Sequence, residues 1–403
     1  MEQVRLKRLV SRINVKSQTP NSESHIDLED IQSWTGKQAP HVGDIETDQT
    51  TFQQGDVLFG KLRPYLAKVV RPLFDGTCSS ELLVLRPGER VETNFLFYTA
   101  IDKKFIDLVD SSTYGAKMPR ASWEFIGQIP VNTPSLEQQN AIGEFLDSKT
   151  TQIDNLISKK QRQIKLLKEK RSAIITEAVT KGVDPTVKMK DSGVKWLGEM
   201  PEHWELIRVK RAGTIRYGLG QPPNELDEGL PLIRATDLHA GFIDTQTMLY
   251  VDPDDIPWSK NPLLHVGEII IVRSGAYTGD SAIIPETLEG SIAGYDMVVT
   301  PTTLNPLFLS YYFLSDFFLL WQLKPETLRA AQPHLNAEEL GSFLVLRPPF
   351  DEQVKIGQWL ENKLSQIKNL TEQISNSIEL LIELRSSLIS EAVTGKLSIG
   401  ETS

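Results

Sequence analysis

Gly55 to Lys61, in the run GDVLFGKL, reproduces the first seven positions of a phosphate-binding loop, G-x-x-x-x-G-K. The eighth position must offer a hydroxyl to Mg²⁺ and here is Leu62, and the intervening Asp-Val-Leu-Phe is strand-like where such a loop needs free backbone amides. Nucleotide chemistry is therefore not expected. Base methylation would need an acidic or Asn-Pro-Pro-aromatic motif with a Gly-rich cofactor loop, which Gln221-Pro222-Pro223-Asn224 and Gly218-Leu219-Gly220 do not supply. Asp102-Lys103-Lys104 and Glu361-Asn362-Lys363 match the acid-x-Lys tripeptide of metal-dependent nucleases, but both fall in helical stretches and read as solvated faces. The six histidines, His25, His41, His203, His239, His265 and His334, show no metal-ligand spacing. No catalytic constellation survives, and neither a cofactor nor a metal is expected.

What remains is a set of basic and polar side chains on turns beside strands. Lys61, Arg63 and Tyr65 surround a turn at Pro64; Ser79 and Ser80 precede an apolar run; Tyr114, Lys117 and Arg120 flank a Gly-containing loop. Their counterparts further along are Arg273, Ser274, Tyr277, Gly294 with Tyr295, and His334 to Asn336. Arg can read guanine in the major groove with two hydrogen bonds, and Lys, Ser and Tyr commonly touch phosphates or bases. These are the candidate nucleic-acid contacts.

The elements that must position them occur twice. Pro134 to Thr180, moved forward by 214 residues, lies without a gap on Pro348 to Thr394, with 21 of 47 paired positions identical. So long a period signals duplication of a whole domain-plus-helix unit, not a solenoid. Each copy opens with a proline-bounded loop and then, after Gly143 or Gly357, runs for about forty residues without Gly or Pro, which predicts a long helix spanning roughly 60 Å. Leu146, Ile153, Lys160, Leu167 and Ile174 recur every seven residues in the first copy, and Leu360, Ile367, Ile374, Leu381 and Leu388 in the second. These heptads predict a coiled-coil seam interrupted only at Lys160, formed between the two helices of one chain or between two chains. The Lys159, Lys160, Arg162, Lys165 and Lys168 face is too charged for burial on all sides.

The segments before each helix share a plan. GEIIIVRSGAYTGDSAII stands where GDVLFGKLRPYLAKVV stood, NPLFLSYYFLSD where TNFLFYTAID stood, and Ile207 to Arg211 echoes Val4 to Arg8. Short apolar runs, turns and one helical stretch in each predict an α+β pattern. Between the first helix and the second segment, Trp196, Met200 and Trp204 mark an ordered connector, with the two tryptophans as candidate partner-docking anchors.

Net charge is -10, unevenly placed: residues 1–133 carry 16 basic and 17 acidic side chains, 134–182 carry 9 and 6, and 203–348 carry 10 and 18. A DNA-binding role then requires local patches or partner subunits to neutralise phosphates. Cys78 is the single cysteine, the start MEQVRLKRLV lacks the apolar run of a signal peptide, and Leu307 to Leu323 is too short and polar to span a bilayer. A cytoplasmic location without membrane partners is expected.

KDSGVKWLGEMPEHWELIRVKR (Lys190 to Arg211), GDVLFGKLRPYLAKV with CSSELLVLRP, and both helical copies with their Gln-containing start and EAVT end resemble the specificity subunit of type I restriction-modification enzymes. The resemblance covers essentially the whole chain. It implies an α+β fold with two homologous target-recognition domains, separated by two long antiparallel coiled-coil helices related by an internal pseudo-twofold repeat. The corresponding divisions are a first recognition domain at 1–133, a central helix at 134–182, a connector at 183–202, a second recognition domain at 203–347 and a C-terminal helix at 348–403. It further implies a non-catalytic subunit that binds a bipartite target in double-stranded DNA. Two methyltransferase (modification) subunits would dock on its helices, and restriction/translocase subunits would join through the complex. A non-catalytic adaptor using the same domains on protein ligands is the alternative.

Overall fold

The computed structural model describes residues 2–17, 24–44, 49–115, 117–221, 223–327, 333–397 and 399. Pro222 of the Gln221–Asn224 fragment lies outside them. The chain forms two units, Met1–Gln161 with Ser375–Ser403, and Arg162–Ile374. Two long helices, Leu136–Lys181 and Phe350–Val393, each contribute to both.

In the first unit an antiparallel sheet runs in the order Val10–Ile13, Leu82–Pro87, Val57–Gly60, Val69–Val70. Its central strands are buried at nearly every position, and the period of two sends alternate residues to opposite cores. Val57, Phe59, Leu83 and Leu85 face the helices Thr93–Ile101 and Lys103–Ser111 through Phe95 and Phe105, whereas Leu58, Leu82 and Val84 join Ile26, Phe52 and Cys78. The second core is roofed by a sheet of Lys16–Ser17, Gln49–Phe52, Gly76–Cys78 and His25–Ile26, the last pair parallel.

The second unit repeats the first sheet strand for strand, as Gly213–Tyr217, Met297–Pro301, Ile269–Ile271, Ser281–Ile283. Again Ile269, Ile271, Met297 and Val299 join one core, and Ile270 and Val298 the other. The smaller sheet diverges. There Leu230–Ile233 pairs in parallel with Ile292–Ala293 and antiparallel with Leu249–Val251, whereas in the first unit the strand equivalent to Ile292–Ala293 is central.

Each long helix starts on a two-stranded ribbon, Glu2–Arg5 with Pro130–Thr133 or Glu205–Arg208 with Leu344–Arg347. A buried glutamine then ties the helix to its domain. Gln139 Oε1 accepts from Glu92 N at 2.8 Å while its Nε2 donates to Pro134 O and Arg90 O, and Gln353 Oε1 accepts from Asn305 N at 2.7 Å while its Nε2 donates to Pro348 O. Glu92 and Asn305 are the N-caps of Thr93–Ile101 and Pro306–Phe313, so the repeated glutamine satisfies the amide that the cap itself leaves open.

The helices run antiparallel within each unit. The start of the first shares a core with the end of the second (Ile142, Leu146; Ile389, Ala392, Val393), and the reverse holds in the other unit (Ile356, Leu360; Ile175, Ala178, Val179). Along both, burial recurs at alternating steps of four and three residues, the coiled-coil spacing. The heptad positions read from sequence, Leu146 to Ile174 and Leu360 to Leu388, form only one edge of this stripe. Thr150, Ile157, Ile164, Arg171 and Ala178, with Leu364, Thr371, Ile378, Arg385 and Ala392, form the other. Lys160 is half-buried on it.

Arg171 and Arg385 are repeat equivalents with equivalent tasks. Arg385 donates to Trp34 O at 2.7 Å, to Thr35 O at 3.2 Å and to Asp154 Oδ1 at 3.1 Å; Arg171 donates to Ala240 O at 2.7 Å. Trp34 and Ala240 both hold left-handed backbone, with φ of 65° and 43°, so each arginine clamps a strained corner of its own domain.

Burial removes one expected docking site. Trp204 is 0% exposed, packed beside Ile175 and Val179, with its indole N–H donating to Glu352 Oε2 at 3.1 Å, and it offers no surface to a partner. Trp196 is half-buried with its ring 4.8 Å from that of Phe317. Among the described residues no helix is long and apolar enough to cross a membrane.

Candidate nucleic-acid interface

The near-match to a phosphate loop folds as a turn and a strand. Gly55 has φ 96°, Val57–Gly60 is central in the sheet, and Asp56 is buried with both carboxylate oxygens accepting from Arg86 at 2.8 Å. Its backbone amides are committed to the sheet and cannot cradle a phosphate. Of the acid-x-Lys tripeptides, Asp102 is a buried residue at a helix start and Glu361 is an exposed helical position, so neither lies in the strand that such a site requires.

The turn following that strand carries the first unit's candidates, and the structure gathers them. Lys61 N donates to Glu81 O and Ala121 N to Lys61 O, Arg63 N donates to Pro119 O, and Tyr114 exchanges backbone hydrogen bonds with Arg120. Lys61, Arg63, Tyr65, Tyr114, Lys117 and Arg120 thus project from one pair of zipped loops. Arg63 itself takes left-handed backbone (φ 48°) to enter the turn at Pro64, and Tyr65 and Tyr114 are 45% and 67% exposed. Among the described residues Lys61, Arg63 and Lys117 make no ion pair.

Two candidates in this unit are spent internally. Arg120 donates from Nε and Nη2 to both carboxylate oxygens of Glu81, at 3.2 and 2.9 Å, a bond that raises its pKa and occupies the fork that would read a base. Ser79 is buried, its N–H donating to Ile26 O, while Ser80 on the same turn is half-exposed.

The second unit zips the equivalent loops. Leu335 N donates to Arg273 O, Gly275 N to Pro333 O, and Ser274 bridges His334. Here the guanidinium of Arg273 lies 4.6 Å from the ring of Tyr217 and 4.3 Å from that of Tyr295, with Nη2 3.3 Å from His334 Nε2. Stacking between two aromatic faces fixes the plane of the fork, whose Nε is buried without a hydrogen-bond partner among the described residues, so any reach to a ligand is left to its terminal nitrogens. Tyr277 is exposed beside it. Asn336 belongs to the scaffold: its Oδ1 accepts from Glu338 N and Glu339 N, both at 2.9 Å, capping the helix Ala337–Ser342.

Tyr217 was not singled out from sequence. The signal available was its place at the end of a strand, just before the Gly218-Leu219-Gly220 break, on the same edge as Arg273.

Beneath the clamp, Asp296 is 3% exposed and accepts from Arg273 N at 3.3 Å. Burial pushes its carboxyl up from 3.8 to about 6, Arg273 only partly opposing this. A raised carboxyl favours the folded state while protonated, so stability is fully present below pH 4 and is lost as pH rises towards 6. Asp296→Asn should therefore flatten the pH dependence of stability between pH 4 and 6 and gain roughly 1–3 kcal/mol at pH 7. Chemical denaturation across that range checks this, and an unaltered pH profile would refute it.

One further cluster of side chains forms in the first unit among the described residues. His25, Asp27 and His41 place ligand-capable atoms within 4.8 Å of one another, although nothing in their spacing suggested it.

A family model described as the type I restriction modification DNA specificity domain matches residues 16–166 and 205–380, one block in each half of the repeat. The EcoBI type I restriction enzyme specificity subunit of Escherichia coli is 24% identical over 314 residues, covering 75% of this chain and 65% of its own length. This chain therefore spans less than two thirds of that relative. The MjaVIII specificity subunit of Methanocaldococcus jannaschii is 23% identical over 334 residues, covering 80% and 75%. In fold, the chain matches one solved under the description "Structural basis underlying complex assembly and conformational transition of the type I R-M system", with TM-score 0.77, 18% identity and 98% of both chains covered. With the family model matching well over half of its residues, the chain belongs to the type I restriction modification DNA specificity domain family.

Proposed function

We propose that the chain is the DNA sequence-specificity subunit of a type I restriction-modification complex and carries no catalysis of its own. Each recognition domain reads one half of a bipartite duplex target. The two long helices set the spacer between the halves and dock two methyltransferase subunits, through which the restriction/translocase subunits join.

One observation carries the reading. The two units place the same pair of zipped loops at the end of the same sheet, yet arm them differently: free Lys61, Arg63 and Lys117 with exposed tyrosines in one, a tyrosine-clamped Arg273 beside His334 in the other. The same larger sheet and zipped loops with different donor arrays suit two readers of different base sequences. With Trp204 buried, the exposed basic residues of the first helix, such as Lys159, Lys165 and Lys168, are the stronger candidates for the partner-facing surface.

Base-modification sequencing of a host carrying this chain with its modification subunits should show one bipartite methylated motif, absent from the same host without this chain. A motif that persists after removal of the chain would sink the proposal, and an adaptor for protein ligands would leave methylation sequence unchanged.

A further inference from the structure

We propose that His25, Asp27 and His41 form a binding site for a divalent transition metal of the zinc class, built into the smaller sheet of the first unit. The three offer one atom each, all within 4.8 Å of one another, with Asp27 Oδ2 3.9 Å from His25 Nε2. Zn–N and Zn–O bonds of about 2.0–2.2 Å require these atoms to close by roughly an ångström, within reach of side-chain rotation.

The surroundings already set both imidazoles for coordination. His41 Nδ1 lies 2.9 Å from Asp30 Oδ2, and because a carboxylate only accepts, the proton sits on Nδ1 and the Nε2 lone pair is free. That Nε2 is buried with no hydrogen-bond partner among the described residues, on a side chain only 6% exposed. Left so, it is a desolvated acceptor without compensation; a metal ion satisfies it. His25, 4% exposed, has its Nδ1 3.0 Å from Thr77 Oγ1, which leaves its Nε2 facing Asp27.

Asp30 does double service. Its Oδ2 also accepts from Asp27 N at 2.7 Å, so one carboxylate orients two of the three ligands. Two imidazoles and one carboxylate with no thiolate favour Zn²⁺, Co²⁺ or Ni²⁺ over Mg²⁺ or Ca²⁺, and leave a fourth position for water. The site is structural: His25–Ile26 pairs with Thr77–Cys78, and Ile26 O accepts from Ser79 N, so a bound ion would brace the Ser79–Ser80 turn.

The 403-residue chain, stripped with chelator, should take up one Co²⁺ or Zn²⁺ per chain, read by elemental analysis and by the visible spectrum of the Co²⁺ form. Asp30→Asn should weaken binding about 10–100-fold, and Asp27→Asn with His41→Asn should abolish it while circular dichroism stays native. Should the double variant fail to fold, Asp27→Asn alone serves, because that side chain is 32% exposed; it should lose the zinc-induced rise in melting temperature seen in the unaltered chain. The proposal is overturned by no saturable uptake, or by equal uptake and equal thermal shift in these variants.

Discussion

Trp204→Ala should lower the stability of the second unit by about 3–5 kcal/mol, the range for deleting a fully buried large aromatic side chain. The indole fills the junction where the first long helix ends. An ideal Cβ built at Gly182 would come within 3.3 Å of Trp204 Cζ2, and Gly182 holds φ 80° as the residue that stops the helix. Truncation would also strip Glu352 Oε2 of one of two hydrogen bonds, leaving only His203 Nε2 at 2.7 Å. Trp196→Ala, with a half-buried ring on Phe317, should cost less. Denaturant titration followed by tryptophan fluorescence and circular dichroism separates this from the surface role suggested by sequence: a Trp204→Ala chain of unchanged stability but impaired partner binding would restore the docking role.

The contrast shows where sequence was legible. The duplication could be read because both copies keep their helical period and their capping and core residues together, and the strand-for-strand match of the larger sheets follows from paired runs such as GDVLF and GEIII. One edge of the helical stripe was invisible because polar residues interrupt it. Thr150 buries its hydroxyl by donating to Leu146 O, and Arg385 is buried only because the carbonyls of Trp34 and Thr35 come to it from elsewhere in the fold.

Turn chemistry picks out the loops that carry the candidate contacts but does not say which of their side chains are free. Glu81, which occupies Arg120, reaches it across the zipped loops. Asn336 is different, since Asn336-Ala337-Glu338-Glu339 is itself a capping-box sequence and could have been assigned to the helix start. The His25, Asp27 and His41 cluster depends on a parallel pairing of His25 with Thr77, 52 residues away, which no local spacing encodes.

Replacing residues 205–347 with a second copy of 2–133, which keeps Trp204 in its place against Ile175 and Val179, should yield a chain that reads the first half-site twice and loses the second. The graft is compatible with the frame because its junctions are repeated. The ribbon Glu2–Arg5 with Pro130–Thr133 replaces Glu205–Arg208 with Leu344–Arg347, Glu92 N replaces Asn305 N as donor to Gln353, and the Trp34 corner presents its carbonyl to Arg171 as it does to Arg385. The candidate contact loops, by contrast, change from the Arg273 clamp to the Lys61–Arg63 array. Each mismatched base pair costs about 1–3 kcal/mol, so two altered positions already shift preference by roughly thirtyfold or more. Base-modification sequencing with the graft in place of the native chain, after circular dichroism confirms folding, should show the original motif replaced by one built from a single repeated half-site. Retention of the original two-part motif by a folded graft would mean that specificity does not reside in these loops, and the assignment of one reader to each domain would fall.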